Sequence, residues 1–326
     1  MEEIMTTEIE LKFALSQHAA LKLTDFLADY PMLSEDNLWL TNTYYDTPDH
    51  QLRKHHCGLR LRGIETEKNK TSYEMTIKHG NKGVAGLHQR QEYNVTLPSK
   101  QLDLSLFPSE ALPRSLDPKL LARQIRPLFN THFHRQIWLI HYHQSQIELA
   151  FDKGDIQQAS YHLPIDELEL ELKQGDVNQL LDFAYILANL GIRVLSQSKA
   201  ARGYQLVNQR SLSVAIMPSI KLMTDKTSVL HALLKYWQQS EELALQQNDT
   251  LTFYHTLQTI LPQFVDLFES PNSDRLANKI NLNLVRLQQI VVKNLPLNEW
   301  VYQPIVTQTK LLIMTFIVHL KGSDTD

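Results

Sequence analysis

A single cysteine, Cys57, stands among the 326 residues, so no internal disulfide can form and the chain fits a reducing compartment. Neither sign of charge dominates. The formal net charge is -4, which leaves no broad basic field to attract duplex nucleic acid or an anionic membrane. A polyanion would therefore have to be met by a local cluster of cations. No basic-then-apolar leader is seen at the start. The longest late apolar run, residues 311–318, falls far short of the ~20 residues that span a bilayer. A cytoplasmic protein with no membrane partner is the reading that remains.

Two periods divide the chain. From residue 7 to about 207 the apolar residues alternate with polar ones, which predicts strands at 8–13, 40–45, 58–64, 72–78, 87–95, 132–141, 145–151, 154–161 and 165–173. Helices are expected at 17–28 behind Ser16, at 120–128, and at 177–190 before Gly191. The pattern dissolves around 211–221, with Pro218 as punctuation. Beyond it the period is helical. Val229, Leu230, Leu233, Leu234 and Trp237 make one stripe, and Phe253, Leu257, Ile260, Leu261 and Phe264 a second that Pro262 should kink or split. Leu276, Ile280, Leu284, Leu287 and Val291 make a third, and residues 301–319 a fourth, which together read as a small helical bundle.

The strand faces carry the functional argument. Glu8, Glu10 and Lys12 share one face, as do Arg60 and Arg62; Glu74 and Lys78; His88, Arg90 and Glu92; Glu148 and Asp152; and Glu167, Glu169 and Glu171. Their neighbours on the other face are Ile9, Leu11, Leu59, Leu61, Ile77, Leu149 and Leu170. One such strand is an ordinary solvated edge. Strand after strand of this kind suggests a closed barrel, charged within and apolar without, clad by the helices around Ala20, Leu121 and Leu181. So many ionised groups do not make a core, because desolvating them without a ligand is costly.

A linear triphosphate needs cations spread along its length. Lys12, Arg60, Arg62, Lys78, Arg90, Arg135, Lys199 and Arg202 can supply them, the arginines bidentately. The carboxylates make sense if they hold Mg²⁺ or Mn²⁺ against the phosphates, with one of them free to take a proton from the attacking water. The pattern leaves thiamine triphosphate, nucleoside triphosphate and cyclisation of ATP open as substrates or reaction. A non-catalytic polyphosphate-binding module is the alternative from another class, although a pure anion binder gains nothing from lining its site with anions.

These same residues carry a resemblance. Glu8-Ile9-Glu10-Leu11-Lys12 resembles the ExExK motif of the CYTH superfamily, the triphosphate tunnel metalloenzymes. Six further blocks agree in order. They are Tyr44-Tyr45-Asp46-Thr47-Pro48, Gly58-Leu59-Arg60-Leu61-Arg62, the run Tyr73 to Lys78, the run Gly86 to Tyr93, Glu169-Leu170-Glu171, and the run Ser198 to Tyr204. The wording is similar to that of bacterial inorganic triphosphatases, which join a CYTH domain to a C-terminal helical CHAD domain.

The resemblance implies an α+β chain: a closed antiparallel eight-stranded β-tunnel with covering helices over residues 1–207, then an all-α CHAD-like bundle over 219–326. It implies cleavage of inorganic tripolyphosphate, or another short linear polyphosphate, to pyrophosphate and phosphate with a divalent metal. Glu8, Glu10, Glu169 and Glu171 would be metal-side and catalytic carboxylates, with Asp152 or Glu167 orienting cations or holding a second metal. Lys12 and the other cations above would grip phosphates. CHAD domains use clustered histidines and basic residues, whereas this segment has His231, His255 and His319 without such a cluster. It reads as a reduced form serving as a buttress or a homodimer surface.

Other features have plainer readings. Cys57 beside His55 and His56 lacks zinc-ligand spacing and suits a turn before the Arg60 strand. His132, His134, His141 and His143 read as surface or rim residues on neighbouring strands, and Trp237 and Trp300 as bundle core. Gly80, Gly83 and Gly86 precede nothing like a P-loop helix and suit a hairpin loop at a tunnel mouth.

Overall fold

The alternating segments pair as strands wherever an apolar outer face can be covered. The computed structural model describes residues 5–66, 68, 70–80, 83–208, 215–269, 274–293 and 295–323. Eight long strands form the barrel: β1 (Met5–Leu15), β2 (Met32–Asp46), β3 (Cys57–Thr66), β4 (Thr71–His79), β5 (Leu87–Leu97), β6 (Arg126–Tyr142), β7 (Ser145–Gln158) and β8 (Tyr161–Gln174). They run in the order β5-β4-β3-β2-β6-β7-β8-β1, and β5 returns to pair with β1, so the antiparallel sheet closes. A three-residue strand, β9 (Ile192–Val194), continues the sheet on the end of β1.

Helices clad the outside. Ser16 caps α1 (Gln17–Leu27), which buries Ala19, Leu23 and Leu27. Short α2 (Gln51–Lys54) and α3 (Pro118–Gln124) cover β3, β4 and β5 through Leu52 and Leu121. Asp176 caps α4 (Val177–Leu187), whose final turn ends at Gly191 with φ of 86°. Ser198 caps α5 (Lys199–Val207). Then come α6 (Lys226–Gln247), α7 (Thr250–Phe268), α8 (Arg275–Val291), α9 (Leu297–Trp300) and α10 (Pro304–Ser323). Trp237 and Trp300 are fully buried. One apolar cluster runs without a break from Leu11, Leu149 and Leu170 on the barrel exterior through α1 and α4 into Trp237, Leu257, Leu284 and Ile313.

Several expectations needed correction. The helix placed over 120–128 stops at Gln124, and Ile125 is already extended with ψ of 137°. Arg126 precedes Pro127, whose ring disfavours helical backbone in the residue before it, so this stretch enters β6. The strands expected at 145–151 and 154–161 are one, β7, and the chain reverses at Ala159 with φ of 51°. Gly154 marks close packing rather than a turn, since a Cβ there would lie 2.1 Å from His132 O. Pro262 lies inside an unbroken α7, held by Ile260, Leu261, Phe264 and Phe268 on one buried face. His132, His134 and His141 all belong to the single strand β6, and His143 sits in the turn after it. Among the described residues the helical part has five helices rather than about four, the extra one being the single turn α9.

Part of the boundary expected at 211–221 lies outside the described residues, as do Asn81 and Lys82 of the glycine loop; 215–219 is irregular chain. No described helix is long and apolar enough to cross a membrane.

Candidate active site

Strand register alone brings the charged faces together. Glu148 stands opposite Glu171, which stands opposite Glu10. One step along, Glu169 faces Lys12, and beyond it Asp152 lies between Arg135 and Glu167. On the other side Glu8 faces Arg90, Glu92 faces Lys78, Thr76 faces Arg60, and Glu74 faces Arg62. These side chains surround a cavity of about 630 Å³. Glu8, Glu10, Lys12, Arg60, Arg62, Lys78, Arg90, Arg135, Glu169, Glu171 and Lys199 all line it.

Asp152 and Glu167 sit behind that lining, fully buried, and Arg202 lies beside them, 3.3 Å from Glu167 and bonded to Pro164 O. Glu74, Glu92 and Glu148, which the alternation places on the charged faces without a site role, join the lining, as does Lys173. Lys173 continues the phase of Glu171, the signal that marks it in the sequence.

One half of this lumen is neutralised from within. Arg135 holds Asp152 through two bonds of 2.7 Å and reaches Glu169 at 2.6 Å. Lys199 lies 2.6 Å from Asp152 and 3.1 Å from Glu169, and also pairs with Glu167. Lys12 bridges Glu169 and Glu10, the latter at 2.7 Å. Burial opposes ionisation of Glu169, but Lys12, Lys199 and Arg135 outweigh it and hold the carboxyl well below its ordinary range. Burial likewise opposes the charge of Glu8, and Lys78, at 2.8 Å and 3.0 Å, wins.

The other half is not. Glu10 pairs with Lys12 through Oε2 only; its Oε1 is buried without a hydrogen-bond partner, with Arg90 4.0 Å away. Burial pushes the Glu10 carboxyl up despite Lys12, and Glu8 and Glu169 add to the rise. Burial also takes Glu171 up to about 6, against the pull of Lys173. Across the cavity, Arg60 and Arg62 donate to neutral groups, Thr76 Oγ1 at 3.4 Å and Asn42 Oδ1 at 2.8 Å. Neither arginine pairs with a carboxylate among the described residues. Burial and the nearby Arg60 and Arg135 bring Arg62 down to about 10. Among the described residues Glu10 keeps one oxygen without a partner and Glu171 is met by Lys173 alone, at 2.9 Å, while Arg60 and Arg62 stand across an open space without a carboxylate partner, an arrangement suited to a cation and an anion bound together.

The lumen is not charged throughout. Leu40, Tyr44, Phe129, Phe133, Ile156 and Ile165, in phase with the charged residues, form an apolar cluster with Tyr204. Helix α5 seats on this cluster because Gly203 has no side chain; a Cβ there would lie 2.1 Å from the Phe129 ring. Tyr204 donates to the buried Asp46 at 2.7 Å, and Asp46 also accepts from the backbone N–H groups of Thr47, Leu52 and Arg53. The Tyr44–Pro48 and Ser198–Tyr204 blocks therefore meet, and their product is the placement of Lys199 in the lumen.

Two carboxylate groups could hold a metal. Oxygens of Asp152, Glu167 and Glu169 lie within 4.8 Å of one another, but Arg135, Lys199, Lys12 and Arg202 already occupy them. Glu10 and Glu171, with Glu148 beside them, have the orphaned oxygen and the raised carboxyls that a cation would relieve. Among the described residues only the first group brings three carboxylate oxygens so close together; the second offers the less neutralised charge.

Over 219 residues the chain is 42% identical to an inorganic triphosphatase of Haemophilus influenzae, a match covering 65% of this chain and 58% of that protein. The chain thus spans well under two thirds of that relative's length. A solved structure from Pyrococcus horikoshii aligns with a TM-score of 0.43 at 15% identity, covering 62% of this chain and 99% of that one. A putative adenylyl cyclase from Hippeastrum, described as having a dominant triphosphatase activity, aligns with a TM-score of 0.42 at 17% identity over 63% and 97% of the respective chains. The CYTH domain model matches residues 6–204, from the first lumen-bearing strand through the helix that delivers Lys199, and the chain belongs to the CYTH family.

Proposed function

We propose that the lumen hydrolyses inorganic tripolyphosphate to pyrophosphate and phosphate with Mg²⁺ or Mn²⁺. The observation that carries this is the facing of unpaired Arg60 and Arg62 against under-neutralised Glu10 and Glu171. The name of the Haemophilus relative supports the same substrate.

In this reading Arg60 and Arg62 grip phosphate oxygens as planar forks, and Lys78, Arg90, Arg135, Lys199 and Lys12 spread positive charge along the rest of the chain of phosphates. Arg202 acts from behind, by holding Glu167. Glu10 and Glu171, assisted by Glu8, Glu169 and Asp152, are the metal-side carboxylates. Bound there, a divalent cation supplies neutralisation of phosphate oxygens and a more acidic water. One carboxylate of this set would accept the proton of the attacking water. Water adds to a terminal phosphorus, its proton passes to the carboxylate, the bond to the bridging oxygen breaks, and pyrophosphate leaves. The helical region over 219–326 serves as a buttress.

Phosphate release is to be measured from tripolyphosphate, longer polyphosphate, ATP and thiamine triphosphate, each with Mg²⁺ and Mn²⁺. Fastest release from tripolyphosphate, dependent on metal, supports the proposal. Tight binding without turnover, surviving loss of Glu8 and Glu10, would replace it with a polyphosphate-binding module.

A further inference from the structure

Helix α6 is apolar along most of its inner face, through Val229, Leu230, Leu233, Leu234 and Trp237. Its next turn breaks that pattern. Gln238, Glu241 and Glu242 stand at i, i+3 and i+4, on one side of the helix, and each reaches the barrel. Gln238 Nε2 donates to Ala85 O at 2.8 Å. Glu241, fully buried, pairs with Lys310 of α10 at 2.6 Å and with Arg193 of β9 at 3.7 Å. Glu242 Oε1 accepts from both the backbone N–H and the hydroxyl of Ser196, at 2.9 Å each.

The segments contacted lead directly into the lumen. Ala85 and Gly86 precede β5, which carries Arg90. Gly86 has φ of +102°, and a Cβ on it would lie 2.8 Å from both Met314 and Val194. Only bare backbone admits α10 and β9 here. Ser196 belongs to the link between β9 and α5. That link is tied at Leu195, which donates to Lys12 O at 2.8 Å, and at Ser198, which caps α5. Lys199 follows at once, its ammonium among Asp152, Glu167 and Glu169.

We propose that α6 is a brace for the phosphate-gripping cations, with Glu242 a positioning residue for Lys199 through Ser196 and Gln238 a positioning residue for Arg90 through Ala85. No described residue of the helical region lines the cavity, so the described part acts on the site through backbone placement. The proposal rests on the triphosphatase reading of the lumen.

The test uses the full chain as Glu242→Ala, Glu242→Gln, Ser196→Ala and Lys199→Ala, with Tyr254→Phe as a stability control. Tyr254 bonds Leu295 O and makes ring contacts with Phe253 and Trp300 within the helical region, and no hydrogen bond or ring contact among the described residues joins it to the link. Initial rates give KM and kcat for tripolyphosphate, and backbone hydrogen exchange is followed over 195–207. Glu242→Ala should raise KM about tenfold with kcat within about threefold, and hasten exchange in the link and the first turn of α5. Glu242→Gln keeps an acceptor at Oε1 and should return KM to within about twofold of wild type. Combined with Lys199→Ala, the Glu242→Ala effect on KM should vanish, because both act through one group.

An unchanged KM and exchange in Glu242→Ala overturns the brace. So does an equal KM rise in Tyr254→Phe, or full additivity with Lys199→Ala. Should the wild type not turn over tripolyphosphate, the triphosphatase reading fails separately. Exchange then decides: faster exchange confined to the link and α5 supports the brace, and none rejects it.

Discussion

Two groups of carboxylates share this lumen, and their surroundings are opposite. Asp152, Glu167 and Glu169 are the more tightly clustered, yet each oxygen already meets Arg135, Lys199, Lys12 or Arg202. Glu10, Glu171 and Glu148 are brought side by side by strand register, and Glu10 keeps an oxygen with no partner. On the proposed reading, density of acid does not locate the cation site; charge left unmet by the fold does. Cations divide the same way. Lys12, Lys199 and Arg135 pair with carboxylates while lining the cavity, whereas among the described residues Arg60 and Arg62 bond only neutral oxygens.

The largest effect should come from breaking the unmet half. Glu10→Gln is expected to lower kcat by about 10³-fold or more, in the range seen when a charge-stabilising group is lost from a transition state. Its melting temperature at pH 7 should hold or rise, because the change removes a poorly compensated buried charge. Glu169→Gln sharpens the contrast. It leaves Lys12, Arg135 and Lys199 short of a shared counter-charge and should cost about 3 kcal/mol of stability. If Glu10→Gln destabilises as much as Glu169→Gln, the two halves do not differ as described.

Next in size is the cationic wall. Arg62→Met should raise KM for tripolyphosphate about 30-fold, the loss of a charge-assisted fork. Stability should change little, since Asn42 loses one hydrogen bond while a strained buried charge disappears. Arg202→Met, acting on Glu167 from behind the lining, should raise KM by a smaller factor. Equal rises would place Arg202 on the substrate instead.

The contrast between the halves bears on what the sequence could reveal. Alternation in Glu8–Lys12 or Glu167–Glu171 fixes which side chains share a face, and barrel closure follows from the repetition of that pattern in every stave. Alternation says nothing of register. Whether Glu10 lands opposite Glu171 or Glu169 depends on strand stagger, and so does the distinction between met and unmet charge. Helix α5 was legible only as a motif, because Lys199 and Arg202 interrupt any apolar period and its burial depends on Gly203 meeting Phe129, a contact distant in sequence. The apolar end of the lumen was missed for a related reason. Phe129 and Phe133 share phase with Arg135, so nothing local marks where charge gives way to packing.

A smaller effect lies in pH. Glu171 rises from the ordinary 4.5 to about 6 on folding, so folding favours its protonated form. Its contribution is full below pH 4.5 and is lost as pH climbs through about 6, on the order of 2 kcal/mol in the metal-free protein. Glu10 shifts in the same direction. Glu8 and Glu169 shift the other way, and their contributions fail only in acid below the ordinary carboxylate range. Mg²⁺ or Mn²⁺ should therefore raise the melting temperature more at pH 7.5 than at pH 5, where protons compete for the same oxygens. Equal metal-induced shifts at the two pH values would remove Glu171 from the metal side.

The smallest effect belongs to a neutral member of the lining and sets the baseline for the others. Cys57 borders the cavity but is 4% exposed, and burial, with Asp46 nearby, takes its thiol up to about 11. At pH 7 the thiolate fraction is on the order of 10⁻⁴, so the group neither grips phosphate nor attacks it. His79, 3.4 Å away, accepts at most a weak bond from the thiol, because its other nitrogen lies 2.7 Å from Ala111 O and donates there. Cys57→Ala should leave kcat and KM within about twofold, the small residue of a lost packing contact. Alkylation with iodoacetamide should be slow and should leave activity intact over an hour. Rapid inactivation, prevented by tripolyphosphate, would mean that a neutral side chain at this mouth governs access to both halves of the lumen.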